Sequence, residues 1–153
     1  PEKLNDLKFI EACTLETLRL KPTGPFDVLV ALEDTEVAGV ALDKGTWIWS
    51  VCRHDTLAEK YFPNPKAFNP QRWLIHPDND LTLSRKVSMP FGSGPRVCPG
   101  RYLAILEIKL AMVMLLNNFD ILSLDTPDGG EAQELMSITM NPVGLSMKLR
   151  ART

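Results

Sequence analysis

Seven of the chain's twelve prolines fall between Pro63 and Pro99, and this clustering constrains the fold more than any other feature. Proline fixes φ and removes a backbone donor, so no helix interior or central strand runs through such a stretch. The same region carries Tyr61, Phe62, Phe68, Trp73 and Phe91, whereas disordered segments are poor in aromatics. Long coils inside a domain are uncommon, and those that occur are functional or disordered. The aromatic residues favour an ordered coil pinned through its rings, with regular structure on either side of it.

Before the coil, residues 3 to about 20 have a helical period. Leu4, Leu7, Leu15 and Leu18 share one side, and Phe9, Ala12, Glu16 and Arg19 the other. Apolar groups on both sides predict a helix buried nearly all round, stopped by Pro22. Three β-type runs are expected next, Val28 to Leu32, Val37 to Leu42 and Thr46 to Cys52, with turns at 33–35 and 43–45. After the coil a second helix is expected from Pro99 to about Asn118, proline being tolerated in a first turn. It is apolar round almost its whole circumference, which predicts a central place in the core. Two strands are expected in the tail, the last from Leu145 to Arg150, where Leu145, Met147 and Leu149 alternate with polar residues. No internal repeat or low-complexity segment is present.

Composition excludes several classes. The length of 153 residues fits one domain, and 44% hydrophobic with 24% charged residues is ordinary for a globular chain. A net charge of -2 argues against a nucleic-acid partner, since such proteins carry a basic excess. Cys13, Cys52 and Cys98 are odd in number and widely spaced, unlike a secreted disulfide framework. The first residues, interrupted by Lys3, Asp6 and Lys8, do not read as a signal peptide. Tyr102 to Leu116 has 13 apolar residues in 15 but contains Glu107 and Lys109, too short and too charged for a membrane span.

Among residues able to do chemistry, Cys98 stands out. It directly precedes the second helix, whose free N–H groups and dipole favour negative charge, and Arg96 and Arg101 add positive potential. Such surroundings favour the thiolate, the form that binds metals or attacks electrophiles. Gly92, Gly94 and Gly100 permit close backbone approach to something bulky, while Pro95 and Pro99 stiffen the loop. Cys13 and Cys52 read as small buried hydrophobes. The glycines do not match a phosphate loop or a dinucleotide fingerprint, and His54 and His76 lack zinc-ligand spacing with the cysteines. A cysteine–histidine nucleophile pair has no local support. Glu16 and Arg19, three apart on a helix expected to be buried, need close partners if removed from water, and Arg72 is available to supply a second guanidinium.

These residues resemble a known family. Phe91 to Gly100 is similar to the haem-binding signature F-x-x-G-x-R-x-C-x-G of cytochromes P450. Glu16-Thr17-Leu18-Arg19 resembles their E-x-x-R motif, and Phe68-Asn69-Pro70-Gln71-Arg72-Trp73 their F-x-P-x-R-[FW] motif. Residues 101–107 continue as the family's haem-side helix does. The E-x-x-R run alone is weak, but three motifs in order along the chain make the resemblance specific.

The resemblance implies an α+β fold class. It is a partial version of the mainly helical cytochrome P450 fold: two buried helices, short strands and a long ordered coil carrying the cysteine loop. Residues 1–153 would be the C-terminal part of one such domain, with no second domain. Cys98 would be the iron ligand, and Phe91, Gly92, Arg96, Cys98 and Gly100 would bind the haem, heme b, with Arg96 on a propionate. Glu16, Arg19 and Arg72 would form a structural triad locking the coil, and no further residue of this portion would be catalytic. Thr23, Pro25, Phe26, Ile138 and Met140 would border the substrate pocket. Two departures stand out: Leu29 falls where the family often has a second propionate-binding arginine, and the run Arg53-His54-Asp55 follows a short segment.

The resemblance further implies a monooxygenase that inserts one oxygen of O₂ into an apolar small molecule. The distal helix that activates oxygen in the family has no counterpart in these 153 residues, so the isolated chain is expected to be inactive. Its partners would be an electron-donor redox protein, a ferredoxin or flavoprotein reductase, and the N-terminal part of the same enzyme. Arg85, Lys86, Arg96 and Arg101 could give the donor a basic face. The compartment is not assigned: a bacterial-type member would be cytoplasmic, and membrane attachment would come only through an N-terminus outside this chain. The alternative is a truncated, non-catalytic haem-binding or interaction module.

Overall fold

The computed structural model describes residue 4 and residues 6–74 and 86–152. Helix α1 spans Lys8–Leu20, and Leu7 offers it no side-chain cap. It ends before Lys21, whose backbone (φ -131°, ψ 68°) has left the helical region, as the residue before a proline tends to do. The helix buries one face rather than its whole circumference. Ala12, Thr14, Leu15, Glu16 and Arg19 are buried, whereas Phe9 is 56% exposed.

Four strands follow instead of three runs: β1 (Asp27–Val30), β2 (Thr35–Val37), β3 (Val40–Leu42) and β4 (Trp47–Ser50). β1 pairs antiparallel with β4, and the β2–β3 hairpin lies between them in sequence. The expected middle run is cut at Ala38 and Gly39, where φ is 51° and 82°. Two consecutive positive φ angles give a two-residue turn whose twist matches that of the strands. The expected third run stops at Ser50, and Cys52 opens a short helix, α2 (Cys52–Thr56).

Between α2 and the second long helix the described residues are irregular coil with two 3₁₀ turns, Pro70–Trp73 and Gly94–Arg96, and a short helical stretch at 86–88. Pro77, His76 and Arg85 lie outside the described residues. The core forms where this coil meets α1: Phe62 and Trp73 pack with Ala12 and Leu15, and Tyr61, Val87 and Phe91 pack against them. The Phe62 and Trp73 rings are tilted at 44° with centroids 6.4 Å apart, a favourable aromatic arrangement. Full burial of a side chain the size of Phe62 contributes on the order of 2 kcal/mol, which is how the rings hold a segment that lacks a regular hydrogen-bond ladder.

Helix α3 spans Arg101–Asn118. Its expected place at the centre of the core is not observed among the described residues: Tyr102, Leu103, Leu106, Leu110 and Met114 are exposed, and of the helix only Lys109 is buried. An apolar circumference makes burial favourable but does not supply neighbours. The described residues cover α3 chiefly along α1. The tail contains four strands rather than two: β5 (Phe119–Asp125), β6 (Gln133–Met136), β7 (Met140–Val143) and β8 (Ser146–Ala151). β5 pairs with β8 and β6 with β7, both antiparallel. The alternation expected to half-bury the last strand is present, yet every residue of β8 is exposed. The architecture is mixed α and β, with two-stranded sheets. Among the described residues no helix is long and apolar enough to cross a membrane.

Candidate functional site

Glu16 and Arg19 are fully buried and joined by two hydrogen bonds, Nε to Oε2 at 2.8 Å and Nη2 to Oε1 at 2.9 Å. The i,i+3 spacing on α1 brings them onto one face, but the rest of the cluster comes from the coil. Arg72 Nε and the Asn69 backbone N–H each donate to Oε1 at 2.9 Å, and Trp73 Nε1 donates to Oε2 at 2.9 Å. One carboxylate therefore accepts five hydrogen bonds. Burial alone would push the Glu16 pKa up, but bonds from Arg19, Asn69, Trp73 and Arg72 prevail and lower it to about 2. Arg19 spends its remaining donors on carbonyls, Nη1 on Thr56 at 2.7 Å and Nη2 on Ala67 at 3.3 Å. Arg72 reaches Pro63 O at 3.2 Å. The Arg19 guanidinium also stacks over Phe62, 5.0 Å from the ring centre.

Trp73 belongs both to this cluster and to the core on which the cysteine loop packs. Phe91 packs against the Ala12, Leu15, Phe62 and Trp73 cluster, and its carbonyl accepts the Cys98 N–H at 2.8 Å. Between them the chain reverses through Gly92 (φ 70°) and Gly94 (φ 64°), left-handed conformations that penalise other residues. Val97 N–H closes the second 3₁₀ turn onto Gly94 O at 3.2 Å. Gly100 then caps α3 without a side-chain bond, and Ala104 N–H takes its carbonyl at 2.8 Å. A Cβ added at Gly100 would lie 3.9 Å from Cys98 Sγ, in van der Waals contact with the sulfur. Cys98 is a free, half-buried thiol, and Arg96 two residues before it is exposed. Phe91, Gly92, Arg96, Cys98 and Gly100 thus lie on one loop that leads into α3.

The residues expected to border a substrate fall in a second group. Met140 N–H donates to Thr23 O at 2.8 Å, bringing β7 against the segment after α1. Phe26 stacks on Trp49 of β4 with centroids 4.7 Å apart. Pro25 is half-buried, whereas Ile138, at the β6–β7 turn, is 95% exposed and packs against little among the described residues. Leu29 lies on β1 and is exposed.

Other candidates lose support. Cys13 and Cys52 are half-buried; burial raises the pKa of both thiols, aided at Cys52 by the Asp27 charge. His54 is exposed and faces Asp55 rather than a cysteine. Among the described residues no group of three or more His, Cys, Asp or Glu side chains could hold a metal ion. One hollow of about 870 Å³ runs along residues 59–72, and another of about 600 Å³ is walled by Phe91 and Gly92. Neither contains Cys98.

Sequence reasoning missed three contributors. The Thr56 carbonyl receives Arg19 across 37 residues, and backbone acceptors carry no side-chain signal. Lys109 is buried on α3 and pairs with Glu11 of α1 at 2.7 Å. Glu134 pairs with both Arg53 and Lys21. For Lys109 the signal was present: a lysine inside a run otherwise nearly all apolar needs an anionic partner.

Comparison with known proteins identifies the family and the fold. The cytochrome P450 family model matches residues 2–149. A probable cytochrome P450 28a5 of Drosophila melanogaster is 39% identical over 126 residues, 78% of this chain and 25% of that protein. A steroid 17-alpha-hydroxylase/17,20 lyase of Ictalurus punctatus is 35% identical over an alignment of 156 positions, covering 97% of this chain and 29% of that protein. Among solved structures, a cytochrome P450 (CYP102L1) superposes with a TM-score of 0.83 at 27% identity, over 99% of this chain and 33% of that one. Retinoic acid-bound cyanobacterial CYP120A1 gives a TM-score of 0.83 at 25% identity, over 99% of this chain and 34% of that one. The chain thus spans a quarter to a third of the relatives it matches. With the family model matched over nearly its whole length, the chain belongs to the cytochrome P450 family.

Proposed function

We propose that this chain is the C-terminal, haem-binding part of a haem-thiolate monooxygenase, with Cys98 as the iron ligand. The observation that carries the proposal is the cysteine loop. A free, half-buried thiol stands before the N-terminus of an 18-residue helix, on a backbone turned by two glycines at positive φ. The site suits a haem on three counts. Its donor is a soft thiol suited to iron. Gly100 keeps the space beside the sulfur clear of a Cβ. Arg96 presents an exposed cation close in sequence to the ligand, suited to a propionate.

In this proposal heme b, when bound, supplies the activation of O₂ and the transfer of one oxygen atom to an organic substrate. The residues of this chain have other tasks. Cys98 donates its thiolate to iron, its backbone held in place by the bond from its N–H to Phe91 O. Gly92 and Gly100 let the loop approach the haem closely, and Phe91 ties that loop to the core. Arg96 neutralises a propionate. Glu16, Arg19 and Arg72 hold the coil behind the loop and touch no reactant. Thr23, Pro25, Phe26, Ile138 and Met140 border an apolar substrate. A redox protein, ferredoxin or flavoprotein reductase, delivers the electrons, and residues of the parent enzyme outside this chain close the distal side.

The test is the reduced, CO-exposed spectrum of the haem-loaded protein. A strongly red-shifted Soret band is expected from the natural sequence and its loss from Cys98→Ser. An unchanged thiolate spectrum in Cys98→Ser refutes the assignment.

A further inference from the structure

Glu134 sits on β6, and everything it holds is distant in sequence. Arg53 of α2 donates to both of its carboxylate oxygens, with Nη2 to Oε1 at 3.1 Å. Lys21, directly after α1, pairs with the same carboxylate and with Glu131 at 3.2 Å. One side chain therefore fastens the β6–β7 hairpin to the ends of two helices. Among the described residues a backbone bond also joins this hairpin to the segment after α1, from Met140 N–H to Thr23 O at 2.8 Å. Beyond these contacts the hairpin is open, with Leu135 59% and Ile138 95% exposed.

Two paired strands of four residues each are marginal by themselves, so the position of this hairpin depends on its fastenings. Glu134 is well suited to the task. Its side chain is only 20% exposed, and Arg53 engages it as a planar two-pronged donor. Such a pair is stronger than an ordinary surface ion pair and holds one orientation. Lys21 adds a second cation from the segment that leads directly into Thr23, Pro25 and Phe26, so both sides of the Met140–Thr23 bond are held by the same carboxylate.

We propose that Glu134 is a positioning residue: by pairing with Arg53 and Lys21 it sets where Ile138 and Met140 stand relative to Thr23 and Phe26, and so sets the affinity for long apolar ligands. The proposal rests on the substrate-pocket reading above and deepens it. Glu134 itself touches no ligand.

The test uses the haem-loaded parent enzyme and its Glu134→Gln and Arg53→Met variants. Amide exchange at Met140 reports the fastening alone and is expected to rise about tenfold in either variant. Ligand affinity is read from the Soret shift with 1-dodecylimidazole, whose tail reaches beyond the iron, against imidazole, which does not. The dodecyl compound is expected to bind about fivefold more weakly in each variant, with imidazole binding and the CO spectrum unchanged. The double variant should lose no more than Glu134→Gln alone, which already removes the partner of Arg53. Unchanged Met140 exchange overturns the fastening. Faster exchange with an unchanged ratio of the two imidazoles overturns the positioning role. A natural-sequence enzyme without the thiolate band refutes the haem reading instead, and Met140 exchange still decides the fastening.

Discussion

Replacing Glu16 by glutamine keeps the side chain's shape and removes its charge. The structure says what is lost. All five donors to Glu16 need an acceptor, and glutamine offers one oxygen and an NH₂ group that faces donors whichever way it is turned. Arg19, fully buried, is left without its counter-charge. The Glu16 pKa is lowered from 4.5 to about 2, and at about 1.4 kcal/mol for each pKa unit this corresponds to about 3 kcal/mol of stability. Removing one partner of a buried ion pair in other proteins costs about 3–5 kcal/mol, so two independent routes agree. Because the folded-state pKa is depressed, the stabilisation is fully present above the unfolded-state value and is lost as pH falls through the folded one. The gap between natural sequence and Glu16→Gln is therefore about 3 kcal/mol at about pH 7, about 2 kcal/mol at about pH 3.5, and near zero below about pH 2. Urea unfolding followed by tryptophan fluorescence measures it, and exchange of the Asn69 amide reports the same loss locally. A gap under about 1 kcal/mol at neutral pH, or one that does not shrink with acid, refutes the reasoning.

Lys109→Met should leave thermal stability within about 1 kcal/mol of the natural sequence or raise it. Methionine fills the same space without a charge to desolvate, and Glu11, 39% exposed, keeps access to water; a loss above about 3 kcal/mol would mean that the pair itself holds α1 to α3. Gly144→Ala should destabilise by about 2 kcal/mol in a denaturant titration, since φ is 73° and the new Cβ would lie 2.8 Å from Pro127 Cδ. A neutral result would show that the Pro127 ring yields freely.

Local features were legible in the residues because they depend on near neighbours. The glycine and proline positions of residues 91–100 specify a tight loop ending in a helix, and the i,i+3 spacing of Glu16 and Arg19 brings their side chains together. The aromatic residues in the proline-rich stretch gave reason to expect order, and Phe62 and Trp73 do pack on α1. Local pattern misled where two signals competed. The run from Val37 to Leu42 looks like one strand, and Ala38 is an unusual residue for φ 51°, so its turn was hidden. The four-stranded tail was underestimated because β6 and β7 are only four residues each and mostly polar or interrupted by Pro142.

The sequence by itself determined the chemistry of the candidate site: which cysteine stands at a helix start, which glycines free the backbone around it, and which carboxylate and guanidinium share a helical face. These follow from torsional preference and spacing, which act within a few residues. Only the tertiary structure decided what those groups meet. It gave Glu16 three further donors from Asn69, Arg72 and Trp73, and Arg19 the carbonyls of Thr56 and Ala67. It tied Glu134 to Arg53 across 81 residues, and among the described residues it set α1 and Glu11 against α3. Burial and pairing are properties of whatever packs opposite, and no pattern along a single segment contains that partner.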